Sequence, residues 1–74
     1  MSISEYRRGM RLAIEKAVSS FVEEHPGADA DSVSVRLGLP VGRARSVLEE
    51  MELRGELRGK SEPHGRFYFL PDEK

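Results

Sequence analysis

Arg43 and Arg45 follow a Gly38-Leu39-Pro40-Val41-Gly42 turn and precede three carboxylates, Glu49, Glu50 and Glu52. A guanidinium donates two parallel hydrogen bonds to a guanine edge or to a phosphate. Ser46, next to Arg45 and one turn after Arg43, adds a hydroxyl. A second cationic set, Arg58, Lys60 and Arg66, brackets the turn residues Ser61-Glu62-Pro63-His64-Gly65. The bland alternative is that these are solvated charges: from Pro40 to Arg66 six basic residues meet five acidic ones, a local net of +1. Arg7, Arg8, Arg11 and Lys16 form a third group, read as a solvated helix face with Glu15 as partner, or as a flanking phosphate contact.

Catalysis finds no comparable constellation. The chain has no cysteine, which removes thiolate chemistry, disulfides and zinc sites built on sulfur. His25 and His64 have no partner at ligand spacing, so no metal is expected. Gly38 and Gly42 belong to a turn and not to a phosphate-cradling loop. Glu49 and Glu50 diverge on a helix, and no Ser, His and Asp are spaced to suggest a triad. The expectation is a non-enzyme with no catalytic residue and no cofactor.

The elements that must carry the arginines are legible in the apolar spacing. Val41, Ala44, Val47, Leu48 and Met51 recur at three and four, one buried stripe of a helix from Pro40 or Val41 to Arg54. Pro40 suits a first helical position, which needs no amide donor, and Gly55 caps the far end. A preceding short helix opens after Ala28, with Asp29 as cap, Asp31 in the first turn, and Ala30, Val33 and Leu37 as its stripe. Gly38 fits its left-handed cap. Leu39 plugs the turn, and Ser34 is small enough for two crossing helices to approach.

Upstream, Tyr6, Met10, Ala13, Ile14, Ala17, Val18, Phe21 and Val22 predict a first helix of about 20 residues, roughly 30 Å long at 1.5 Å per residue. Ser2 with Glu5, or Ser4, would cap it; Gly9 weakens its start, and Pro26-Gly27 ends it. Tyr6 and Met10 either fold over the wing side of their own domain or overhang it and meet a second chain. Downstream the period changes. Leu57 to Lys60 and Arg66 to Leu70 read as two strands of a hairpin, with Phe67, Phe69 and Leu57 expected against the helices. Residues 71–74 read as a frayed tail.

The 74 residues allow one domain with a modest core. With 38% apolar and 34% charged residues, the composition suits a globular chain. Nothing resembles a signal peptide or a membrane span, so no membrane partner is expected and a cytoplasmic location is the default. The net charge of −1 means that any nucleic-acid face must come from segregation of charge and not from excess.

Three helices, a Gly-Leu-Pro turn before the third and a closing β-hairpin resemble the winged helix-turn-helix DNA-binding domains, an α+β, mostly α class. The resemblance is carried by Val33-Ser34-Val35-Arg36-Leu37-Gly38-Leu39-Pro40, Val47-Leu48-Glu49-Glu50-Met51, Arg54-Gly55-Glu56-Leu57 and Gly65-Arg66-Phe67-Tyr68, within roughly residues 5 to 70. It implies a helix 41–54 in the major groove and a hairpin 57–69 as wing. By that analogy Val41, Gly42, Arg43, Arg45 and Ser46 face the bases of double-stranded DNA. Arg58, Lys60 and Arg66 lie on its backbone, with His64 as helper. Asp29 and Asp31 oppose an anion at the second helix.

The chain is also similar to the Z-DNA-binding domains. It carries Val41, Arg45 and Glu49 where those have Lys, Asn and Tyr, and a single Pro63 without Trp in the wing. A likeness in length to the small winged-helix accessory proteins of ferrous-iron transport lacks their wing cysteines. The expected role is a small sequence-specific transcriptional regulator, homodimeric through Tyr6 and Met10 of the first helix. The alternatives are a protein-interaction module docking through the wing and the acidic half of the third helix, or a domain excised from a larger regulator or replication protein.

Overall fold

The computed structural model describes residues 3–71, with residues 3–8 described as helical backbone. Among these residues the order is α1 (Ile3–Glu24), α2 (Ala30–Leu37), α3 (Val41–Leu53), β1 (Arg58–Glu62) and β2 (Gly65–Phe69). Three helices followed by an antiparallel hairpin form a winged helix-turn-helix fold. The expected Ser2 cap and the tail 72–74 lie outside the described residues, as do the side chains of Ser4, Glu5 and Tyr6.

α1 runs without a break through Gly9, so its 22 residues reach about 33 Å at 1.5 Å per residue. Only its second half is core: Val18 and Val22 are fully buried, with Ile14 and Phe21 packed beside them. Ala13 is exposed and Met10 is 45% exposed, so Met10 does not fold back over the domain. The amino half projects past the core.

Asp29 caps α2 as expected, its Oδ1 accepting from the Ser32 amide at 2.8 Å. That bond holds the Asp29 carboxyl below the usual carboxylate range. Gly38 closes the helix at φ 67°, a left-handed conformation that costs other residues about 1 kcal/mol or more. Ser34 Oγ donates to the Leu39 carbonyl and so ties the turn itself. Pro40 sits one position earlier than expected. With ψ at 145° it is the residue before the helix, and Val41 is the first helical one. The reason is local: Pro40 bends the chain out of the turn in extended form, and its carbonyl accepts the first helical bond from Ala44 at 3.0 Å.

Ala44, Val47, Leu48 and Met51 of α3 form the buried stripe against Val18, Val22 and Val33. Val41, assigned to that stripe from its spacing, is 39% exposed because the first turn overhangs the partner helices.

The hairpin adopts the opposite phase from the one expected. Tyr68 is the core residue, 2% exposed, while Phe67 and Phe69 are half-buried on the other face. Two physical reasons favour the tyrosine. Its backbone forms a one-residue third strand with the α1–α2 connection: the Gly27 amide donates to the Tyr68 carbonyl, and the Tyr68 amide to the Ala28 carbonyl, both at 2.9 Å. Its ring also lies 5.8 Å from the Arg66 guanidinium, so the phenol is not stranded among apolar groups. Burial pushes the Tyr68 phenol up. Leu57 is buried as expected.

Candidate nucleic-acid interface

The register of the hairpin decides where its cations go. Gly59 pairs with Tyr68, Ser61 with Arg66, Arg58 with Phe69 and Lys60 with Phe67. Directly paired residues share a face. Gly59, Ser61, Arg66 and Tyr68 therefore lie on the face turned toward α3, and Arg58 and Lys60 on the opposite face, which borders the carboxyl end of α1. Gly59 leaves room for the ion pair: a Cβ there would meet Arg66 and the Glu52 carboxylate at 2.6–2.7 Å, so those side-chain ends would have to shift.

Arg66 is not a solvated wing cation. Its guanidinium binds the Glu52 carboxylate through Nη2, and through Nε to Oε1 at 3.3 Å, and also bonds Ser61. The hydrogen bond to Glu52 raises the Arg66 pKa further. Two more arginines are committed in the same way. Arg11 of α1 pairs with Glu50 of α3 and with Glu15 at 3.4 Å. Arg54 pairs with Glu15 at 2.7 Å and with Glu56 at 3.5 Å. Glu15 is only 7% exposed and lies between the two guanidiniums. Its burial among apolar neighbours is tolerable because both flanks supply positive charge. The third basic group thus has one member, Arg11, engaged with carboxylates.

Arg43 and Arg45 differ. Both are exposed, and among the described residues neither makes an ion pair or side-chain hydrogen bond. Gly42 and Ser46 are exposed beside them. The amino end of α3 has no side-chain cap, so its first amides face outward. Two positions apart on a helix, the arginines leave its surface on different shoulders. Arg43 lies with Ser46 and Arg11 along the groove between α1 and α3. Arg45 lines a cleft of about 430 Å³ between the start of α2, α3 and the wing tip. That cleft also holds His64 and Arg66, together with the carboxylates of Asp29, Asp31 and Glu49.

Of the five cations expected on one surface, the structure brings Arg45 and Arg66 together and keeps Arg43 on the same helix end. Arg58 and Lys60 stand on the outer face of the hairpin. Lys60 lies 3.5 Å from Glu62, and both cations border a groove of about 470 Å³ floored by Val22, Pro26, Phe69 and Leu70. The role of Glu52 escaped sequence reasoning, because its partner is fourteen residues away on another element and no local pattern links them. Among the described residues no three His, Asp or Glu side chains group closely enough to hold a metal ion, and no helix is long and apolar enough to cross a membrane. No protein-family model, curated protein or solved structure matches the chain.

Proposed function

We propose that this chain binds double-stranded DNA in a sequence-specific manner, as a small regulator of transcription. One observation carries the reading: Arg43 and Arg45 are exposed at the start of α3 with no ion-pair or side-chain hydrogen-bond partner among the described residues, whereas Arg11, Arg54 and Arg66 are each held by carboxylates. The amino end of α3 enters the major groove, with Arg43, Arg45 and Ser46 toward base edges and Val41 and Gly42 allowing close approach. Its uncapped amides favour a nearby phosphate. Lys60 and Arg58 approach the backbone from the outer side of the wing.

So few cations give modest affinity per chain, and a second copy doubles the contacts. The projecting half of α1, where Met10 and Leu12 are exposed, is the surface for that copy. Fluorescence anisotropy of a labelled duplex at low and at raised salt tests the reading. Binding that weakens with salt, and is abolished by Arg43→Glu with Arg45→Glu, supports it; absence of binding at low salt overturns it. Sedimentation gives the oligomeric state, and a monomer at high concentration removes the dimer.

A protein-docking role is favoured by a different feature, the apolar groove of Val22, Pro26, Phe69 and Leu70 between α1 and the hairpin. Its size suits one or two bulky side chains. This reading gains if the duplex is not bound.

A further inference from the structure

Glu49 holds no other element of the fold in place. Its neighbours Glu50 and Glu52 are neutralised by Arg11 and Arg66, but Glu49 is exposed and makes no ion pair or hydrogen bond among the described residues. It lies one helical turn after Arg45, on the same side of α3, and lines the same cleft beside the wing tip. A bare carboxylate there repels phosphate. Toward bases it is selective, because it accepts hydrogen bonds and donates none. In the major groove guanine offers acceptors and thymine an acceptor and a methyl; adenine sets its N6 donor beside the N7 acceptor, which repels a carboxylate, while the cytosine N4 amine is a donor with no adjacent acceptor.

We infer that Glu49 is a specificity-determining residue that selects cytosine, working with Arg45, which selects guanine. This rests on the duplex-binding reading above. Four residues advance the helix by about 6 Å, which is about two base steps of 3.4 Å for a helix lying along the groove. The preferred site therefore contains a guanine and, about two base pairs away, a cytosine whose amine faces Glu49. The carboxylate also rejects adjacent alternatives: a thymine O4 opposite it leaves two acceptors facing each other.

The experiment is selection of bound duplexes from a randomised pool by the full chain, followed by anisotropy on the selected duplex and its single-pair variants. Replacing the selected cytosine by thymine is expected to weaken wild-type binding about 10-fold or more. Glu49→Gln is expected to move the preference at that pair to adenine, because a Gln amide bonds adenine N6 and N7 together. The guanine preference is expected to stay and to be lost only in Arg45→Ala. If Glu49→Gln leaves the selected base unchanged, or Glu49→Ala tightens every duplex equally, the carboxylate only repels and the inference falls while duplex binding stands. If the wild type selects no duplex at low salt, the duplex reading falls and takes this one with it.

Discussion

The two halves of α3 share one buried stripe and do opposite things with their charges. In the carboxyl half, Glu50 and Glu52 reach across to Arg11 and Arg66 and bind α1 and the wing to the helix. In the amino half, Arg43 and Arg45 meet no carboxylate within bonding distance among the described residues and are exposed to solvent. A net charge of −1 is therefore compatible with a cationic helix end: Glu50 and Glu52 are held by Arg11 and Arg66, and Arg43 and Arg45 are left at the amino tip. The lesson is that counting charge over a segment misjudges a surface when half the charges are already paired. Exposed pairs of this kind contribute only about 0–1 kcal/mol each to stability. Their larger consequence is to decide which cations remain free.

The comparison can be broken most severely through the stripe that both halves share. Leu48 is fully buried, and Leu48→Ala is expected to cost about 2–5 kcal/mol, enough to unfold a domain this small; thermal melting by circular dichroism reads the loss. The next effect is on function alone. Arg43→Glu with Arg45→Glu is expected to weaken duplex binding by about 100-fold or more, since two base contacts of about 1–3 kcal/mol each give way to repelling carboxylates, while the melting temperature stays within a few degrees. A drop in stability of the size expected for Leu48→Ala would show that the amino half is structural.

The acids near the amino half give a smaller and pH-dependent effect. Asp29→Ala is expected to lower stability by about 1 kcal/mol at neutral pH through loss of the α2 cap. The folded Asp29 pKa is depressed by its bond to the Ser32 amide, so its stabilisation is complete above the ordinary aspartate value, about 3.9, and is lost as pH falls through the lower folded value. The gap between wild type and Asp29→Ala, followed by denaturant unfolding, should close in that acid window and not on the alkaline side. The same substitution removes a carboxylate from the cleft beside Arg45 and should tighten duplex binding slightly.

The mildest change sharpens the comparison most. Glu52→Gln should cost under about 1 kcal/mol of stability and release Arg66 into the cleft. With one more cation available, the dependence of log K on log salt should steepen by about 0.9. An unchanged slope would mean that Arg66 does not face the duplex even when freed.

Helix α2 and the turn were legible from local chemistry. Asp29, Gly38 and the Val33–Leu37 spacing act within a few residues, and they form the cap, the left-handed turn and the buried side as expected. The wing was legible as a hairpin but not in phase. Alternation in Arg66-Phe67-Tyr68-Phe69 permits either face, and two phenylalanines outweigh one tyrosine on hydrophobicity alone. The choice fell to Ala28 and Arg66, which give Tyr68 a backbone partner and a cationic neighbour. The first helix was legible in length; which part of it was core was not, since Met10 and Ala13 continue the apolar spacing beyond the point where anything packs against it.

Periodicity and capping residues, which act over one or two turns, determined the order of elements, the helix-turn-helix geometry and the exposure of Arg43, Arg45 and Ser46. Only the folded arrangement decided the destination of the other charges. An ion pair such as Glu52 with Arg66, or Glu15 with Arg54, joins residues whose separation in the chain carries no signal, and a strand register is set by what lies on both of its sides. Those long-range choices assigned some arginines to the scaffold and left others to face a partner.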